Sequence, residues 1–70
     1  MQKGGEHMNY ELKESLLNEA RNSSNSRVLK TFQASGNGLI LRDTLLYMES
    51  DGLITIHRKA TGMIDYSLND

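Results

Sequence analysis

Residues 45–68, "LLYMESDGLITIHRKATGMIDYSL", decide how this chain folds, and they can be folded in two incompatible ways. In one, Leu41, Leu45 and Met48 fall at i, i+4 and i+7 of a helix that stops at Gly52, where a C-terminal glycine belongs. In the other, Asp51-Gly52 is itself a hairpin turn between apolar runs and the whole stretch is a β-meander. "TLLYM" does not alternate cleanly, because Leu45 and Leu46 are adjacent and both apolar, so the helix over 39–51 is the preferred reading. Beyond Gly52 the two readings agree. "LITIHRK" sets Ile54 and Ile56 against Leu53 and Thr55, and "MIDYSL" places Ile64, Tyr66 and Leu68 two by two. "KATG" joins these strands into a hairpin with a basic shoulder at His57-Arg58-Lys59.

Upstream, Asn9 is a good N-cap, Glu11 suits the positive end of a helix dipole, and Leu12, Leu16 and Ala20 recur every four residues. This predicts an amphipathic helix of roughly three turns. It gives way to Asn22-Ser23-Ser24-Asn25-Ser26, a polar run that reads as a loop. Ser26 then caps an expected second helix from Arg27 to about Ser35, with Val28, Leu29 and Phe32 on one side and Gly36-Asn37-Gly38 as its stop. The same residues also alternate loosely as a strand.

Seventy residues allow one small domain. With no cysteine there is no disulfide and no thiolate zinc site, which suits a cytoplasmic location, and pairing of subunits is one way for so small a core to grow. No apolar run, Leu39-Ile40-Leu41 included, approaches the roughly 20 residues of a membrane span. Nor does the amino terminus carry a basic segment followed by an apolar core. Instead "KGGEHM", Lys3 to Met8, back-translates to aaa-gga-ggt-gaa-cat-atg, a ribosome-binding site ahead of a start codon. Residues 1–7 are therefore expected to be a non-native leader of a bacterial or phage gene, or a cloning scar of similar look, and 8–70 the domain.

Net charge is −1, too little for a strongly basic coat, but its distribution is uneven. Residues 21–44 carry Arg21, Arg27, Lys30 and Arg42 against Asp43, a net of +3, between two segments of net −2. With Arg58 and Lys59, this basic middle is a candidate positive face. Catalysis finds little purchase. Asp43, Glu49, Asp51 and Asp65 form no cluster with ligand spacing, and no nucleophile–base–orienter set can be assembled. Gly36-Asn37-Gly38 lacks the lysine of a phosphate-binding loop, and four scattered aromatics make no stacking platform. No enzyme activity and no cofactor or metal is expected.

Helix, helix, glycine-broken turn, helix, hairpin is the element order of winged helix-turn-helix domains. Leu45-x-x-Met48-Glu49-x-x-Gly52-Leu53-Ile54 resembles the "L-x-x-L-E-x-x-G-L-I" junction common where that family's recognition helix meets its wing. The resemblance implies an α+β winged-helix-like domain with three helices followed by a C-terminal β-hairpin. It further implies a small regulator that binds duplex DNA through helix 39–51 and a wing at 57–62. Arg42 would read a guanine edge and Tyr47 would reach a phosphate. Arg58 and Lys59 would neutralise phosphates from the wing, supported by Arg27 and Lys30 in the basic middle. With Leu41, Leu45 and Met48 inward, the outward set is Arg42, Asp43, Leu46, Tyr47 and Ser50. The expected core is Leu12, Leu16, Leu29, Phe32, Leu41, Leu45, Met48, Leu53, Ile54, Ile56 and Ile64. Leu17, Leu46 and Tyr10 are left over, which suggests a homodimer. The rival expectation is a non-catalytic protein-interaction or inhibitor domain, either one helix on a β-meander or a winged fold used for protein contact alone.

Overall fold

The computed structural model describes residues 9–69, so the expected leader at 1–7 lies outside the described residues. Helix α1 spans Tyr10–Arg21, and the Asn9 side chain accepts the N–H of Leu12 at 2.9 Å, which makes it the N-cap the sequence indicates. Strand β1 follows over Arg27–Thr31, helix α2 over Asn37–Ser50, and strands β2 and β3 over Ile54–Ala60 and Met63–Leu68. The fold is thus α+β, with two helices and a three-stranded antiparallel sheet in the order β1-β3-β2.

The decisive stretch is helical. Leu53 donates its N–H to the Met48 carbonyl at 2.9 Å and Gly52 donates to Glu49 at 3.0 Å, the pair of bonds that closes a helix through a left-handed residue. Gly52 supplies that residue with a φ of 79°. The chain leaves α2 directly into β2, and the β-meander reading is overturned.

The expected second helix does not exist. Arg27–Thr31 is a strand, paired with β3 from Arg27↔Ser67 to Thr31↔Met63, so there are two helices and not three. A single 3-10 turn at Ser24–Ser26 precedes it, where Asn25 and Ser26 take φ of 62° and 54° and swing the chain back over the end of α1. Ser26 therefore caps no helix. Along β1, Val28 is buried and Leu29 is 62% exposed, which removes Leu29 from the core to which it was assigned. Gly36-Asn37-Gly38 also reverses its expected role: it opens α2, with Gly36 as N-cap, and ends nothing.

Both helices pack on one face of the sheet. Leu16, Leu17 and Ala20 of α1 meet Leu45 and Met48 of α2 over Val28, Ile54, Ile64 and Tyr66, each side chain almost wholly removed from solvent. Fully burying a leucine, isoleucine or methionine is worth about 1.5–3 kcal/mol, so this cluster dominates the stability of the fold. Leu12, Phe32, Leu41, Leu53 and Ile56, also expected in the core, pack partly buried at its rim. Leu17 does not lie outside the core, so it offers nothing to a partner subunit, whereas Tyr10 stays 66% exposed. The outer face of the sheet has no covering element among the described residues.

Candidate nucleic-acid interface

Pairing decides which way each cation points. Residues directly opposite on neighbouring strands share a face, and Ile64 and Tyr66 of β3 face the helices. Along β2, Ile56 pairs with Tyr66, but the next pair is Arg58 with Asp65, so His57 is an extra residue in a β-bulge. Without the bulge, alternation would place Arg58 beside Ile56 and Lys59 on the open face. With it, Arg58 stands opposite Asp65 on the open face and Lys59 stands opposite Ile64 on the helix side. One inserted residue thus exchanges the sides on which the two cations stand and brings Lys59 to the helix side. β2 continues to Ala60 and the turn is Thr61-Gly62, so both cations lie in the strand and not in the wing loop expected over 57–62.

On the helix side, Lys59 shares a shallow depression with Arg42 and Leu46 of α2, Phe32, and Thr61 of the turn. Arg42 is half-exposed, and its guanidinium lies 3.3 Å from the neighbouring Asp43 carboxylate, a loose contact that leaves it able to swing outward. Tyr47 points away from this depression. With Ile40, Asp43, Leu46 and Ser50 it lines a second open groove along the outer side of α2, where Ile40 is 45% and Tyr47 42% exposed. The outward set read from helical periodicity is therefore correct for Arg42, Asp43, Tyr47 and Ser50, all exposed, with Leu46 half-buried.

The other two cations are committed within the chain. Arg27 grips both oxygens of Asp65, Nε at 2.9 Å and Nη2 at 2.6 Å, on the open face. Hydrogen bonding from Arg27 is the main reason the Asp65 carboxyl sits below its ordinary range; its burial opposes the shift, and the charges of Arg27, His57 and Arg58 add to it. Lys30 reaches across to Glu19 of α1 at 2.7 Å. The six residues thus form no single surface. Arg42 and Lys59 come together, Arg27 and Arg58 flank Asp65 on the opposite side of the sheet, Lys30 ties β1 to α1, and Tyr47 stands alone over an apolar groove.

Sequence reasoning missed Asp65 as the hub of the open face, although alternation along "MIDYSL" places it opposite Ile64 and Tyr66. It also missed the contact between His57 Nε2 and Ser67 Oγ at 2.7 Å. These two groups are a nucleophile and a base by type, but Asp65, the nearest candidate to orient the imidazole, already has both oxygens on Arg27. What the contact does is fasten the bulge to β3. Among the described residues, no group of three or more histidine, aspartate or glutamate side chains is placed to hold a metal ion, and no helix is long and apolar enough to cross a membrane. No family model, no curated protein and no solved structure matches the chain.

Proposed function

We propose that this domain binds duplex DNA as a winged-helix-type module reduced by one helix, docking α2 and the helix side of the hairpin against the phosphate backbone. One observation carries this reading: Arg42 from α2 and Lys59 from β2, seventeen positions apart, line one depression at the junction between helix and hairpin. The junction resembling the winged-helix family adds support, because Leu45, Met48, Gly52 and Ile54 occupy the positions that resemblance requires. In a helix-turn-helix pair, the first helix crosses the backbone while the second enters the groove. Here no helix lies between β1 and α2, so the contact is narrower and rests on few phosphates.

Each neutralised phosphate contributes about 0.9 to the slope of log affinity against log salt. Two contacts give a slope of roughly 2 for a mixed-sequence duplex. Lys59→Ala lowers that slope by about 1, whereas Arg27→Ala leaves it unchanged. No measurable affinity at low salt discards the proposal.

A second reading has its own support: the groove of Ile40, Leu46 and Tyr47 carries no cation among its lining residues. An apolar strip with a single carboxylate, Asp43, suits protein contact better than a phosphate. A domain that fails the salt titration but binds a protein partner through α2 follows that second course.

A further inference from the structure

We infer that the edge of β1 left unpaired among the described residues is a self-pairing surface, joining antiparallel to the same edge of a second copy about a two-fold axis at Leu29. The sheet ends in two edges of different character. β2 is guarded: it carries a bulge at His57, and Arg58 and Lys59 have no ion pair among the described residues. Bulges and free basic residues are the devices by which edge strands are kept from pairing.

β1 has neither. Its register with β3 is unbroken, and both of its cations are already held within the chain, Arg27 by Asp65 and Lys30 by Glu19. At its centre sits Leu29, 62% exposed, the most exposed large aliphatic side chain among the described residues.

The backbone geometry fits the same partner. Phe32 donates its N–H to the Gly62 carbonyl at 2.9 Å, on the β3 side of the strand. Alternation therefore turns the polar groups of Val28 and Lys30 toward β3 and those of Arg27, Leu29 and Thr31 outward. In a two-fold pair centred on Leu29, the two copies of Leu29 face each other and Arg27 of each copy faces Thr31 of the other. Because the Arg27 N–H already donates to the Ser24 carbonyl, these outward positions exchange about four hydrogen bonds. Val28 faces Lys30, so no like charges are opposed, and the two exposed leucines cover one another. The result is a sheet twice as wide, through an interface small enough to lie at the weak end of specific contacts.

The test uses the full chain, labelled with 15N, in sedimentation and amide-exchange measurements from micromolar to millimolar concentration. The expected mass rises toward two chains, and the amides of Leu29 and Thr31 become protected in step with it. Val28 and Lys30 are protected throughout, because their amides face β3. Leu29→Lys places two ammonium groups at the axis and weakens association at least about tenfold; as the side chain is exposed, the monomer keeps its fold by circular dichroism. A chain that stays monomeric at millimolar concentration overturns the inference. So does a dimer in which the Leu29 and Thr31 amides exchange as fast as in an unstructured chain.

Discussion

The phenol of Tyr66 donates a hydrogen bond of 2.9 Å to the main-chain carbonyl of Leu16, fifty residues earlier, with neither side chain open to solvent. This bond links the central strand to the middle of α1 through the core, where an unpartnered hydroxyl would carry its full desolvation penalty. Tyr66→Phe removes the donor without changing the packing volume. The expected cost is about 1 kcal/mol, seen as a fall of roughly 4–8 °C in Tm for a domain of this size. An unchanged Tm would mean that the hydroxyl contributes nothing.

The same residue makes stability depend on pH at the alkaline end. Burial, and secondarily the negative charge of Glu19, push the Tyr66 phenol up to about 12 from its ordinary 10.0. The unfolded chain gives up this proton first. Stability tied to Tyr66 is therefore complete below pH 10 and is lost as pH rises toward 12. The slope approaches about 1.4 kcal/mol per pH unit within that window. Urea unfolding from pH 8 upward should show this decline in the native chain and a shallower one in Tyr66→Phe.

Arg27 and Asp65 give the opposite sign. The folded Asp65 carboxyl titrates below its ordinary 3.8, first because Arg27 hydrogen-bonds it. Its contribution is present in full above the unfolded value and disappears as pH falls through the lower folded one. Arg27→Ala should raise the Asp65 titration midpoint, read from its side-chain carboxyl carbon by NMR, while the amide spectrum of the helices stays in place. A midpoint that does not move would assign the depression to His57 and Arg58 instead.

How far the sequence carries is best seen at β1 and α2. Helix α1 was legible because its cap and its apolar stripe lie within one window, and α2 because Leu41, Leu45, Met48 and Gly52 do too. β1 was not. Val28, Leu29 and Phe32 fit a helical face as well as a strand, and what decides between them is pairing with Ile64 and Tyr66, far along the chain. Gly36-Asn37-Gly38 is equally at home ending a helix or starting one, and only the missing helix before it settles which. The charges failed for the same reason: Arg27 and Lys30 look free in sequence, but their partners Asp65 and Glu19 lie 38 and 11 positions away. Arg42 lies on α2 and Lys59 on β2, the helix and the hairpin that the sequence predicts for them. Their convergence depends on the bulge at His57, which leaves no mark in the alternation of "ITIHRKA".

Gly38 is the least replaceable glycine of the opening turn. A Cβ there would stand 1.5 Å from the Gln33 carbonyl oxygen, and the blocking atom is backbone that cannot rotate aside. Gly38→Ala must displace residues 32–36 and with them the start of α2, at a cost of about 3 kcal/mol or more. Gly36 meets nothing within 4 Å, so Gly36→Ala carries only the strain of its φ of 56° and ψ of −126°, about 1–3 kcal/mol. Chemical denaturation of both variants checks the order. Equal losses would mean that the loop relaxes around the added methyl group.

His57 offers a test of the bulge itself. Deleting it leaves Ile56 opposite Tyr66 and Arg58 opposite Asp65, so every cross-strand pair survives and both cations keep their faces. The contact with Ser67 disappears, a surface bond worth about 1 kcal/mol or less. The larger consequence lies at the edge, because β2 becomes a regular strand whose outward N–H and C=O groups are free to pair. The deletion variant is expected to unfold at nearly the native temperature, to hold whatever salt slope the proposed DNA binding gives the native chain, and to aggregate sooner when concentrated. Light scattering after a step in concentration reads the last of these. A variant that loses the Lys59-dependent part of the salt slope would mean instead that the bulge is needed to hold Lys59 over the depression shared with Arg42.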